Sequence, residues 1–293
     1  MKILIIGKNG QLGWELERSL AVLGEVVAVA RPEIDLSNPE STAGWVRRVE
    51  PDVVVNAAAY TDVDGAERET GAARAVNARA PGVLAAETER LGSALIHYST
   101  DFVFDGEKRE PYRETDPTRP LGVYGRTKLE GEQAVAAAGG AGLIFRTAWV
   151  YSLRRPSFVT RVLEWARRSP ELRIVTDQTG SPTWCRTLAQ ATARVIAMGG
   201  PDPAGFLRER HGLYHVACDG AASRAEWARA ILRGDPHPEE QLAKVVIPAL
   251  TSDFPSPAMR PAYSVLDCTK FADVFGFRLP PWEEALGLAM EAG

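Results

Sequence analysis

Apolar residues in the first half of the chain follow two alternating patterns. Short runs rich in β-branched residues, at 2–6, 26–30, 53–57, 94–99 and 143–147, are separated by longer stretches. In those stretches, at 12–23, 40–49, 71–91 and 126–138, apolar positions recur at helical spacing. The runs at 53–57 and 94–99 are almost wholly apolar, as expected of strands covered on both faces. Strands alternating with helices close into a parallel sheet with a helical layer on each side. The expected fold class is therefore α/β, a doubly wound parallel sheet. Ligands of such sheets collect at the carboxyl ends of the strands.

Past residue 150 the alternation loosens. Helical pieces at 157–168, 184–199 and 223–233 are separated by proline-rich joints at 201–203, 236–238, 248–261 and 279–281. This predicts a nucleotide-binding domain over 1–150 and a smaller substrate lobe over 151–293, with a soft boundary because the chain can cross back into the main sheet. A length of 293 residues is ample for both. The net charge of -4, without any block of like charges, points away from nucleic acid and membrane surfaces and toward small molecules. Three cysteines, far apart and odd in number, do not make a disulfide framework. No apolar run reaches the roughly 18 residues of a membrane span, and no signal peptide is expected before the first strand. A reducing cytoplasm is the expected location.

The first strand runs into Gly7-Lys8-Asn9-Gly10-Gln11-Leu12-Gly13 and then an amphipathic helix. Glycines at this spacing permit a tight turn, and they let the backbone N–H groups around Gly7, Gly10, Gln11 and Leu12 approach a pyrophosphate at the positive end of the helix. This strand–loop–helix unit makes the sheet one of the Rossmann type. The second strand ends Val29-Ala30-Arg31, with arginine where an acidic residue would hold the ribose hydroxyls of NAD. Arg31 favours NADPH, with NADH as the alternative. After the third strand, Ala58 and Ala59 are small enough for a cofactor to lie against the main chain, and Tyr60 and Thr61 follow.

The strand at 94–99 carries Tyr98 and leads into Ser99-Thr100-Asp101. Tyr124 and Lys128 follow, four residues apart and so on one face of a helix. Hydride transfer to a ketone leaves an alkoxide that must be protonated. A tyrosine serves best if a neighbouring ammonium lowers its pKa from about 10. The expected roles are Tyr124 as proton donor, Lys128 lowering its pKa while holding the nicotinamide ribose, and Thr100 hydrogen-bonding the carbonyl oxygen. Ser99 competes with Thr100, but alternation along a strand points the two hydroxyls in opposite directions. His97 and His215 lie on apolar strands and are read as core residues. No tight His/Cys/carboxylate cluster indicates a metal site.

These features resemble the extended short-chain dehydrogenases, and further segments resemble the dTDP-4-dehydrorhamnose reductase family in particular. Residues 56–67 resemble its N-A-A-A-Y-T-x-V-D-x-A-E. Residues 99–106 resemble S-T-D-Y-V-F-D-G, with Phe102 in place of tyrosine, and residues 146–151 resemble R-T-S-W-V-Y, with Ala148 in place of serine. Residues 177–183 and 260–267 match D-Q-x-G-x-P-T and R-P-x-x-S-x-L-D. The resemblance runs from residue 1 to about 267. It implies NADPH-dependent reduction of the C4 ketone of a dTDP-linked sugar and adds Asp35 and Leu36 around the adenine and Tyr98 at the cofactor. It also implies Asp101, Trp149 and Arg260 beside the substrate. A homodimer is compatible with it. Two other readings stay open: a reductase or epimerase of another nucleotide sugar, and a non-catalytic subunit resembling the regulatory subunit of methionine adenosyltransferase.

Overall fold

The structure, a computed structural model, describes residues 1–291; the last two residues of the expected 151–293 segment lie outside them. Six parallel strands form one sheet in the spatial order Glu25–Val29, Lys2–Ile6, Val53–Asn56, Ala94–Thr100, Ala141–Thr147, Gly212–His215. The first strand is flanked by the second on one side and the third on the other, so the winding direction reverses beside it. That switch point opens a crevice at the carboxyl end of Lys2–Ile6, where the glycine loop begins.

Successive side chains leave a strand on opposite faces, and the sheet sorts them into two cores. Ile3, Ile5, Val53, Val55 and Ile96 pack into the larger core with residues of helices Gln11–Leu20 and Cys185–Ala197. Leu4, Ile6, Val54 and Leu95 pack into the other with Val46 and Leu84 from helices Pro39–Val49 and Ala80–Leu91. Every one of these strand residues is essentially fully buried. This is why the central runs read as continuously apolar rather than alternating.

Several elements differ from expectation. The helix expected at 71–91 is composite: Thr70–Arg74, a π-type turn at Ala75–Arg79, then Ala80–Leu91. A short helix at Val63–Arg68 precedes it, its first turn capped by Asp62, which accepts from the Gly65 N–H. The next helix is Val123–Ala137, so it takes in Tyr124 as well as Lys128. The sixth strand, Gly212–His215, comes from the second half of the chain and pairs with Ala141–Thr147. Part of the proline-rich joint at 248–261 is in fact strand: Val245–Ala249 pairs in parallel with Glu171–Val175. Helices Pro203–Glu209, Thr269–Phe275 and Trp282–Glu291 complete the second half. Among the described residues no helix is long and apolar enough to cross a membrane.

Candidate active site

Every residue singled out from the sequence as a cofactor, catalytic or substrate contact lines one cavity of about 1600 Å³ at the carboxyl edge of the sheet. At one end lies the glycine loop. Gly7 has φ +100, and a Cβ there would sit 2.8 Å from the Ala58 nitrogen, so the loop can press against the third strand's exit only as glycine. Gly10 precedes helix Gln11–Leu20 without a side-chain cap, and the buried Oε1 of Gln11 has no hydrogen-bond partner. An uncapped helix start with an orphaned acceptor beside it suits a ligand that brings both anionic oxygens and hydroxyl donors, which fits a dinucleotide.

Arg31 is exposed on the same wall, with Asp35 nearby. The Asp35 carboxyl is held below its usual range by hydrogen bonds from the Ser37 hydroxyl and N–H, with Arg31 adding attraction. Glu33, the acidic residue of this turn, pairs instead with Lys8 at 2.8 Å and accepts from the Ala30 N–H. It is not part of the cavity lining, so the cation Arg31 faces the cavity without it.

Tyr60 is fixed through its main chain. Its N–H donates to Asn77 Oδ1 at 2.8 Å, and Asn77 Nδ2 donates to the Tyr60 carbonyl and to Thr127 Oγ1. Asn77 thus ties the cofactor strand's exit to the helix that carries Tyr124 and Lys128. It sits in the π-type turn, where the widened backbone accommodates a residue that favours bonding to main chain over ordinary helix.

At the other end the two adjacent hydroxyls diverge. Ser99 donates to the buried Glu132, whose carboxylate also takes a bidentate grip from Arg146 at 2.8 and 2.6 Å. Thr100 stays on the cavity side, donating to Asp101 Oδ1 at 3.0 Å and accepting from the Phe102 N–H. Asp101 is 2% exposed and also accepts from the Ser264 hydroxyl at 2.6 Å. Burial pushes its carboxyl up to about 6, against the pull of those two hydroxyls and of Arg224.

The Tyr124–Lys128 helix lies tight against this segment, since a Cβ on Gly125 would fall 2.1 Å from the Phe102 carbonyl. Phe102, where the resemblance has tyrosine, packs edge-to-face on the Tyr124 ring. Contrary to expectation, Tyr124 is not acidified: burial pushes its phenol up to about 12, the Thr100 hydroxyl offsetting part of this. Lys128 is the group brought toward neutrality, pushed down to about 8 by burial with Glu132 opposing. Its Nζ donates to the Tyr98 carbonyl and lies 3.4 Å from His97 Nε2. His97 in turn meets Asn56 Nδ2, whose amide is oriented because Oδ1 accepts from the Ala58 N–H. The histidine read as a core residue is buried, but it sits in contact with the lysine. His215, by contrast, bonds the Tyr112 carbonyl within the core.

Two expected contacts are placed differently from the sequence picture. The Tyr98 side chain turns into the core, its hydroxyl meeting Thr192 and its ring packing on Phe145; its carbonyl is what receives Lys128. Trp149, in a left-handed conformation at φ 44, has its ring covered by the Arg224 guanidinium at 3.5 Å and stacked near Trp227. Arg224, Asn77 and His97 are among the residues the sequence did not offer as site members.

A doubly wound parallel sheet with a glycine loop at its switch point, and a Tyr-x-x-x-Lys helix packed beside a strand-end threonine, defines the class: an extended short-chain dehydrogenase/reductase. More narrowly, the chain belongs to the dTDP-4-dehydrorhamnose reductase family, its residues 1–292 matching the family model described as the RmlD substrate binding domain. It is 48% identical to a dTDP-4-dehydrorhamnose reductase of Burkholderia thailandensis, over 99% of this chain and 98% of that one. Among solved structures, a dTDP-4-dehydrorhamnose reductase of Clostridium acetobutylicum superposes with a TM-score of 0.91 at 35% identity, covering 100% of this chain and 99% of the other. The enzyme of that name from Bacillus anthracis, crystallised in complex with NADP, gives 0.89 at 30% identity, covering 100% and 99%.

Proposed function

We propose that this chain is an NADPH-dependent oxidoreductase that reduces the C4 ketone of dTDP-4-dehydro-6-deoxy-L-mannose to give dTDP-L-rhamnose, a step of polysaccharide precursor synthesis. The observation that carries this reading is the gathering of Thr100, Tyr124 and Lys128 with the glycine loop around one cavity, in a chain similar over its whole length to reductases of that name. When bound, NADPH supplies the hydride that reduces C4. The glycine loop and the uncapped helix start would hold its pyrophosphate, and Arg31 the additional phosphate of its ribose.

The chain's own residues then have three tasks. Thr100 orients the carbonyl oxygen through its hydroxyl. Tyr124, a phenol protonated across the neutral range, gives its proton to the alkoxide formed at C4. Lys128, one helical turn away, stabilises the phenolate that this leaves, so the acidification missing from the resting site is supplied where charge develops. The ketosugar occupies the part of the cavity walled by residues from 151 onward, among them Gln178, Arg224 and Trp227, which gives the second half of the chain its role as substrate lobe. The three cysteines are free, which accords with a cytoplasmic reaction.

The test is the loss of NADPH absorbance with the enzymatically generated dTDP-4-keto-L-sugar, beside the UDP- and GDP-linked sugars. Oxidation selective for the dTDP sugar is expected, with NADPH preferred to NADH. Arg31→Ala should lower that preference about tenfold, the scale of one charge-assisted phosphate contact. No oxidation of the dTDP sugar by enzyme that binds NADPH overturns the assignment.

A further inference from the structure

Two arginines of the cavity wall are used very differently. Arg260 is spent on the protein: its guanidinium pairs with Asp64 at 2.8 Å and donates to Ser256 and to the Ala258 carbonyl. Those bonds hold the loop around 256–260 to helix Val63–Arg68. Arg224 is half-buried, and its guanidinium has no hydrogen-bond or ion-pair partner among the described residues; only its backbone N–H is engaged, by the Gln178 carbonyl. The side chain is nevertheless fixed. It lies flat on Trp149 at 3.5 Å, and its backbone begins a helix whose start is locked by the reciprocal Ser223–Glu226 capping box. Stacking of this kind occupies the face of the guanidinium and leaves its in-plane donors available.

Apart from the Trp149 ring and the distant pull of Asp101, the surroundings oppose a cation in that position. It stands at the positive end of helix Arg224–Arg233, it is largely withdrawn from solvent, and Arg161 and Arg260 both repel it. Burial and these two neighbours push its guanidinium down to about 9, with Asp101 the one attraction, exerted without an ion pair. An anion beside Arg224 would offset the repulsion from Arg161 and Arg260, suit the helix start and give the withdrawn guanidinium a partner, and the one anionic part of a nucleotide sugar is its diphosphate.

We propose that Arg224 is the residue that grips the diphosphate of the nucleotide-sugar substrate, while Arg260 only shapes the wall. This rests on the function proposed above and names the anchor of its substrate. The planar fork of the guanidinium suits two phosphate oxygens, and its platform, Trp149, is itself wedged against Gly180, so the anchor does not move with the ligand.

The experiment is calorimetric titration of thymidine, dTMP and dTDP into the full chain and into Arg224→Met and Arg224→Lys, with NADPH titrated as a check on the fold. Methionine keeps an apolar stem over Trp149 and loses the charge. Arg224→Met should weaken dTDP at least tenfold while thymidine and NADPH change less than twofold, and Arg224→Lys should recover part of the loss. The proposal is overturned if dTDP binds Arg224→Met as it binds the original chain, if thymidine and dTDP weaken equally, or if the original chain does not bind dTDP. Arg224-dependent dTDP binding without turnover of the ketosugar would sink the proposed activity and leave the anchor standing. Turnover with dTDP affinity indifferent to Arg224 would do the reverse.

Discussion

At the glycine loop the cavity is bounded by residues with little or no side chain: Gly7 against Ala58, Gly10 at the start of helix Gln11–Leu20, and Ala58 and Ala59. At the tyrosine end it is walled by functional side chains, Thr100, Asp101, Tyr124, Lys128 and Arg224, delivered by three separate segments of the chain. The first end presents fixed amides that suit a constant anionic ligand. The second holds several ionisable groups out of water, with Asp101 raised to about 6, Lys128 lowered to about 8 and Tyr124 raised to about 12. Binding can rest on main-chain shape, but moving a proton needs side chains whose charge states differ and are controlled. The glycine loop itself and the tyrosine end should therefore fail in opposite ways, the loop when atoms are added and the tyrosine end when they are removed.

The sharpest test subtracts one oxygen. Tyr124→Phe keeps the ring that packs on Phe102 and removes the proton donor, so kcat should fall about a hundredfold to ten-thousandfold. NADPH affinity, measured by fluorescence titration, should stay within twofold. Undiminished kcat would remove the tyrosine from the chemistry and with it the contrast. At the glycine end the matching change adds one carbon. Gly7→Ala forces a Cβ to 2.8 Å from the Ala58 nitrogen at φ +100, a strain of about 1–3 kcal/mol. If the strained loop passes this on to the cofactor, NADPH binding should weaken about tenfold to a hundredfold. Wild-type affinity in Gly7→Ala would mean that the loop does not need its observed conformation.

The same contrast explains how much could be read from the chain. The glycine spacing, Tyr124 with Lys128, and the strand-end Ser99-Thr100-Asp101 are local, each a few residues whose chemistry follows from spacing on one element. The central strands were legible because both faces are buried and their apolar runs are unbroken. What escaped depends on distant partners. Asn77 acquires its role only because a π-type turn aims it at Tyr60 and Thr127. A polar asparagine amid helix-forming alanines was the one available hint. Arg224 is an unremarkable helix-start residue until Trp149 and Gln178 fold beneath it. The strand Gly212–His215 has four residues and no β-branched run, so it is made a strand by the exposed edge of Ala141–Thr147 rather than by its own propensity. The direction of the Tyr124 shift escapes the sequence for a related reason: spacing puts a lysine one turn from the phenol, but in the folded site its ammonium turns to the Tyr98 carbonyl while burial raises the phenol.

The smallest of the expected effects concerns that ammonium. Burial holds Lys128 at about 8, well below an ordinary lysine, so its charged form dominates at pH 7 and is lost as pH rises through that value. If the positive charge stabilises the Tyr124 phenolate as it forms, kcat/KM for ketone reduction should be level between neutrality and about pH 8 and fall above it. The decline should approach tenfold for each further pH unit. Tyr124 titrates only near 12 and cannot produce this limb, and Asp101, near 6, would produce one on the acid side. Lys128→Met should lower kcat/KM and abolish the alkaline limb together, because the methionine variant has nothing left to lose a proton there. An intact enzyme whose kcat/KM stays flat well above pH 8 would mean that Lys128 acts by geometry alone. The tyrosine end would then hold its reactants, as the glycine end does, without tuning them.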